Sequence, residues 1–321
     1  MMIRISIVLS GLFLYLALRD LEWHAFFTTL QNAQYAYVPL VFLWSTLSYL
    51  MRALRWRVLL SSEKLLPASN VFWANMSGYL GNSILPARAG EFVRAAYLAK
   101  RNEMRTSFVL ATGLAERLVD VIALVILGSF SLVLIGITSQ EFQTGLAVMT
   151  VLGISGLGMV LISPHFGGLT EKAIARIPYL SADRRDRCTR VMQQFLRGLQ
   201  SLIHFKRAAI FALFTALIWL MDGLGVVILS RALYLPLNLP QASVLLAGLG
   251  LSSAIPSTPG YIGVYQFVAV AVLEPFGISR ADAVALVLFS QVLGLFVALV
   301  WGGLALWRVS RNLLNQSSPS E

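Results

Sequence analysis

One cysteine, Cys188, and three scattered histidines, His24, His165 and His204, are the only thiol and imidazole groups in this 321-residue chain. An internal disulfide and a multi-thiolate metal site are excluded by count. The histidines show no ligand spacing, so no metal or other cofactor is expected. Charge is scarce as well: Asp, Glu, Lys and Arg make up 12% of the residues, against 57% hydrophobic and a mean hydropathy of +0.74. A soluble domain carries roughly twice that charge, so the composition describes a polytopic membrane protein. No Gly-rich P-loop occurs, which leaves any transport downhill, ion-coupled, or driven by consumption of the cargo on the far side.

The charge that is present is lopsided, with 25 Lys and Arg against 15 Asp and Glu. In a membrane protein such an excess gathers in cytoplasmic loops and sets orientation, so no nucleic-acid partner is expected. Apolar runs approaching the roughly 20 residues that cross a bilayer lie near 37–51, 118–137, 143–163, 208–230 and 283–307. Ile5 to Leu18 is followed by Arg19, Asp20 and Glu22 instead of a small-residue cleavage site, and reads as a short, retained first span. Two more stretches, near 70–87 and 241–273, are interrupted by Pro and Gly. If these dip in and return to their own side, 21 of the 25 Lys and Arg face one compartment, Arg19, Arg231 and Arg280 face the other, and Arg117 sits inside a helix. This asymmetry predicts both termini in the cytoplasm and a multi-pass protein of the bacterial-type cytoplasmic (inner) membrane. The basic loop at 165–207 repeats Cys188, Val191, Met192, Phe195, Leu199, Leu202 and Ile203 at helical spacing. An amphipathic helix is expected there, packed on the inner ends of the spans or touching anionic lipid.

Aligning the two interrupted stretches sets SILPARAG, Ser83 to Gly90, over SAIPSTPG, Ser253 to Gly260, at an offset of 170 residues. The flanking spans share that offset. The fold expected is all-α: one membrane domain over 1–321, with inverted repeats at 37–137 and 208–307 and extra spans. Each repeat reads as span, broken re-entrant hairpin, span, and three intervening crossings would place the second motif on the opposite side. Pro86 and Gly90 in one half, and Pro256, Pro259, Gly260 and Gly263 in the other, are the helix-breaking residues. Unwound backbone at membrane depth has to be buried or line a polar cavity, and paired interruptions of this kind point to a transporter's binding site.

Ionisable residues in membrane segments are functional candidates by default. Arg88, Glu91 and Arg94 follow the first break at three-residue spacing, so they share a helix face; the arginines suit a phosphate, and Glu91 suits holding one of them or a cationic headgroup. Glu116, Arg117 and Asp120 also share a face. Their depth depends on whether the span starts near Ser107, which puts them close to the midplane, or at Leu118, which makes them interfacial. Asp222, deep in an otherwise apolar span, is the ion-coupling candidate, with a structural hydrogen bond as the alternative. The second motif carries no basic residue but offers Ser257, Thr258, Tyr261, Tyr265 and Gln266 as hydrogen-bonding groups.

RALRWRVLL, NSILPARAGEFVRAAYL, ERLVDVIAL and IPSTPGYIGVYQ together resemble the flippase-like integral membrane family that includes the transmembrane domain of lysylphosphatidylglycerol synthases, over about residues 5 to 308. The resemblance implies movement of a polar lipid and extends the substrate-binding candidates to Arg55 and Trp56. It names as motif positions Pro86, Arg88, Gly90, Glu91, Arg94, Glu116, Arg117, Asp120, Pro256, Pro259, Gly260 and Gly263. The sequence stops at Glu321 without the soluble aminoacyl-transferase domain of the synthases, so lysyl transfer is not among the expectations. A flippase for a phospholipid or polyprenyl-phosphate-linked lipid follows, with an anionic or phosphate-bearing membrane lipid as its partner. The alternatives are a membrane enzyme acting on a lipid-linked substrate, with Glu116, Asp120 or Asp222 as acid or base, and a non-transporting scaffold for a lipid-modifying enzyme or glycosyltransferase.

Overall fold

The computed structural model describes residues 2–85, 89–136, 181–200 and 204–317, with a few isolated positions between 144 and 177. Pro86, Arg88 and the run expected as a span at 143–163 lie outside these, apart from isolated positions in the run. All the regular elements among the described residues are helical. In order they are α1 (Met2–Leu18), α2 (Trp23–Gln31), α3 (Tyr37–Leu60), α4 (Ala68–Ile84), α5 (Gly90–Asn102), α6 (Thr106–Ile135), α7 (Ala182–Gln200), α8 (Phe205–Ala232), α9 (Leu239–Ser252), a 3-10 turn at Pro259–Tyr261, α10 (Val264–Leu273), a second such turn at Glu274–Phe276, and α11 (Arg280–Ser317).

Among the described residues, four helices are long and apolar enough to cross a membrane: α3, α6, α8 and the Arg280–Arg308 part of α11. The chain is thus an integral membrane protein with several apolar helices. The expected first span is a shorter apolar helix, Ile5–Leu18; at 1.5 Å per residue its 14 residues reach only about 21 Å. The span expected at 37–51 continues to Leu60, because nothing in SYLMRALRWRVLL breaks a helix. Arg52 and Arg55, counted at the sequence level among the cytoplasmic basic residues, are therefore helical and interior, and so is Arg94. These three therefore drop out of the loop count, leaving 18 of the 21. α6 starts at Thr106 and runs unbroken through Gly113 for 30 residues, ending where Gly136 turns left-handed at φ 70°.

The two Pro/Gly stretches both form short helical hairpins. In the first, α4 and α5 run antiparallel, with Asn70 Nδ2 donating to Asn102 Oδ1 at 3.1 Å across the open end. Hydrophobic burial does little to join helices within lipid, so close backbone packing has to do so. Gly78 and Gly81 lie against Gly90 and Arg94, and a side chain at Gly90 would run into the Gly78 carbonyl and Asn82. In the second, an Asn238–Gln241 capping box opens α9. The chain leaves α9 at Ser252, turns through Gly260 (φ 73°) and Gly263 (φ 91°), and returns as α10.

Displaced by 170 residues, α3, α4, α5 and α6 fall on α8, α9, α10 and α11. The packing follows the same correspondence: α4 packs on α11, and α9 packs on α6. α3 and α8 pack on each other and run antiparallel, with Trp44 beside Gly225 and Arg52 over Trp219.

Candidate functional site

The antiparallel crossing of α3 and α8 puts the two residues exactly one offset apart, Arg52 and Asp222, in an ion pair. Ser48 Oγ donates a second hydrogen bond to Asp222 at 2.7 Å. Both charged side chains are only partly withdrawn, 13% and 20% exposed, because they line a cavity of about 440 Å³. Its wall draws on α3, α4, α6, α8, α9, α10 and α11, and both hairpins contribute: Tyr79 from the first, and Leu251, Ser253, Ala254 and Tyr265 from the second and its turn. Arg117 and Asp120 enter from α6. The aromatic walls are Trp44, Trp219 and the Tyr49–Tyr79 stack, whose rings lie 4.7 Å apart. A mixed polar and aromatic chamber with two guanidinium groups and two carboxylates can receive a charged headgroup of modest size.

Behind this chamber lies a buried ion network. Arg55, 1% exposed, donates from Nη1 to Asp120 Oδ1 at 2.5 Å and from Nη2 to Glu116 Oε1 at 2.8 Å. Arg94 donates to Glu116 Oε2 at 3.1 Å and Asn75 Oδ1 at 3.0 Å, and pairs with Glu91 at 2.6 Å. Glu91 also accepts from Arg117 Nη2 at 2.6 Å. Three arginines meet three carboxylates, so the cluster is formally neutral, which suits ionised groups in a membrane interior. Its spacing follows from the helices: Glu91 and Arg94 are one turn apart on α5, and Glu116 and Asp120 one turn apart on α6. Trp56 closes the cluster, donating from Nε1 to Thr112 Oγ1 at 3.1 Å and stacking under the Arg94 guanidinium, 4.4 Å from the ring centre.

The candidate residues therefore separate into groups. Arg117, Asp120, Asp222 and Tyr265 line the cavity. Arg55, Trp56, Arg94 and Glu116 are buried behind it, engaged with one another and their neighbours, and Glu91 bridges Arg94 and Arg117. Gln266 is buried too; it caps α10 through the Gly263 amide, 2.7 Å away, and donates to Gln291 at 2.6 Å. Tyr261 stacks on Tyr265 at 4.7 Å, while the Thr258 amide donates to Ser10 on α1 at 2.9 Å. Neither Tyr261 nor Thr258 lines the cavity, and Ser257 does not either. Arg88 is outside the described residues. Sequence reasoning did not select Arg52, Ser48, Tyr49, Tyr79 and Trp219 as site residues. For Arg52 a signal existed, the offset of 170 from Asp222; the aromatic residues had none, since Tyr and Trp are common in membrane helices.

The model of the family described as the lysylphosphatidylglycerol synthase TM region matches residues 3–302. Among curated proteins, the chain is 22% identical over 242 residues to UPF0104 membrane protein MJ1078 of Methanocaldococcus jannaschii, covering 73% of this chain and 96% of that protein. It is also 22% identical over 325 residues to UPF0104 membrane protein MJ1595 of the same organism, covering 96% and 95%.

Proposed function

The chain belongs to the lysylphosphatidylglycerol synthase TM-region family, and from that premise we propose that it is a lipid flippase, passing the headgroup of an anionic phospholipid or polyprenyl-phosphate-linked lipid through the cavity between its two hairpins. The observation that carries this reading is the cavity's wall, built from both halves and furnished with Arg52, Arg117, Asp120 and Asp222. Arg52 and Arg117 are the phosphate-binding groups. Both already have carboxylate partners, Asp222 and Glu91, so an incoming phosphate exchanges one anion for another instead of entering a bare positive site. Asp222, released by that exchange, is the ion-coupling group. The buried network holds Arg117 in place and supports the first hairpin.

The reciprocal packing of α4 on α11 and α9 on α6 supports a pair of inverted repeats, with the axis through the α3–α8 crossing. Hairpin helices of 17, 13, 14 and 10 residues span about 15–26 Å, short of the roughly 30 Å hydrocarbon core. Such lengths favour re-entrant hairpins over full crossings. On this reading the protein occupies a cytoplasmic membrane with both ends inside.

The test is lipid scrambling in vesicles. With purified protein reconstituted beside acyl-labelled fluorescent phosphatidylglycerol, a membrane-impermeant reductant should bleach nearly all of the label, whereas protein-free vesicles lose only the outer leaflet's. Arg52→Ala should slow the protein-dependent phase about 10- to 100-fold, the equivalent of one charge-assisted hydrogen bond. Wild-type vesicles that bleach no further than empty ones, across phospholipid and polyprenyl-phosphate labels, would move the assignment to the scaffold.

Asp222→Asn gives an independent expectation. It leaves Arg52 with a neutral partner, so a phosphate headgroup no longer competes with a carboxylate. Binding of phosphatidylglycerol by the detergent-solubilised protein should tighten about tenfold, while scrambling slows through retarded release. Equal or weaker binding would remove Asp222 from the exchange.

A further inference from the structure

A second cavity, of about 490 Å³, lies on the outer side of α6 where the amphipathic helix α7 packs against it. Leu114, Leu118 and Val121 of α6 and Val191 and Met192 of α7 line it, and among the described residues Arg117 is its one charged group. Leu114, Val121 and Val191 are 55%, 44% and 57% exposed, so the cleft is open and apolar. Arg117 and Val121 line this cleft and the central cavity alike. A single turn of α6 is the partition between the chamber for a charged headgroup and a groove for something greasy.

We infer that the α6–α7 groove seats an alkyl chain of the transported lipid while its phosphate reaches Arg117, so that this turn of α6 is the lateral portal. The inference rests on the flippase reading above and adds the place where head and tail part. Charge and apolarity are arranged for one amphiphile: the Arg117 side chain is 33% exposed, with its stem beside Leu114 and Val121. On α7, exposed Arg184, Arg187 and Arg190 flank the apolar pair Val191–Met192, a disposition suited to anionic lipid at an interface. A soluble phosphate has no use for the groove, and a neutral lipid has none for Arg117. An anionic lipid uses both.

The test separates tail from head. Binding of dioleoyl phosphatidylglycerol and of glycerol 3-phosphate is measured on purified wild type, Val191→Trp and Leu118→Trp, the first by native mass spectrometry and the second by calorimetry. Val191 is exposed on a helix surface, so its replacement fills the groove without entering the core. Both groove variants should bind the diacyl lipid about tenfold more weakly, as for two CH₂ groups out of contact, with glycerol 3-phosphate affinity unchanged. Diacyl affinity unaltered in Val191→Trp would overturn the portal while leaving the flippase reading standing. Equal loss of both ligands in that variant would also overturn it, since the groove would then not act on the tail. Failure of wild type to bind either ligand would bring down the flippase reading for this headgroup and the portal with it.

Discussion

Arg55→Met should destabilise the folded protein in detergent by about 3–5 kcal/mol. Arg55 faces two carboxylates at 2.5–2.9 Å in a site it fills to 1% exposure, and it also donates to Thr215 Oγ1 at 3.3 Å on α8. Methionine matches much of its stem but supplies no donor, so Asp120 loses its direct guanidinium partner and Glu116 keeps only Arg94. The network changes from neutral to one net negative charge in an environment with little water to relax it. Unfolding titrated with a denaturing detergent and followed by tryptophan fluorescence measures the loss. The mechanism is checked by Arg55→Met/Asp120→Asn, which restores neutrality and should recover a substantial part of the stability. Stability equal to wild type in the single variant would mean that the ion network contributes nothing, and recovery absent from the double variant would mean that the shape of Arg55 matters and its charge does not.

Gly90→Ala is expected to be almost as damaging for an unrelated reason. At this residue the N-terminus of α5 meets α4 so closely that a Cβ would overlap the Gly78 carbonyl and the amide and side chain of Asn82. Two of these three neighbours are backbone of a helix and cannot rotate away. The hairpin must open, which pulls Arg94 from Asn75 and Glu116. Overpacking typically costs about 1–3 kcal/mol, and a clash with helix backbone belongs at the upper end of that range. Protease cleavage of the purified protein between α4 and α5 should rise sharply. By contrast, Gly136→Ala, at a helix end where no described residue lies within 4 Å of the added Cβ, should have a far smaller effect, limited to the strain of φ 70°. Similar behaviour of the two variants would show that the α4–α5 contact is not set by the absence of a side chain.

Much of the architecture is legible in the residues themselves, because a bilayer reduces the choices open to a chain. Long apolar runs without proline become helices, Pro and Gly clusters end them, and the short helices around PARAG and PSTPG emerge at those interruptions. The ion-paired acidic and basic residues are visible for the same reason: Glu91, Arg94, Glu116, Arg117, Asp120 and Asp222 stand out against an apolar background, where each needs a partner. Arg52 and Asp222, 170 residues apart, form an ion pair across α3 and α8.

Partner choice is what one-dimensional spacing leaves open. Arg55 and Arg94 read as equals of Arg117, yet tertiary packing buries the first two among carboxylates from α5 and α6 and leaves the third at the edge of two cavities. Local spacing predicts contacts within a helix, such as Glu91 with Arg94, but Arg55 with Asp120 is a contact across 65 residues that exists only once α3 and α6 have packed. α3 extends beyond 51 to Leu60 because charge ends a hydropathy window but does not end a helix when a partner awaits it. Sequence by itself thus determined the medium, the helices, the breaks and the polar inventory, since each follows from single residues and the cost of their transfer into lipid. Only the tertiary structure decided which charges neutralise one another and which face a cavity, because that depends on helices distant in sequence meeting at one place.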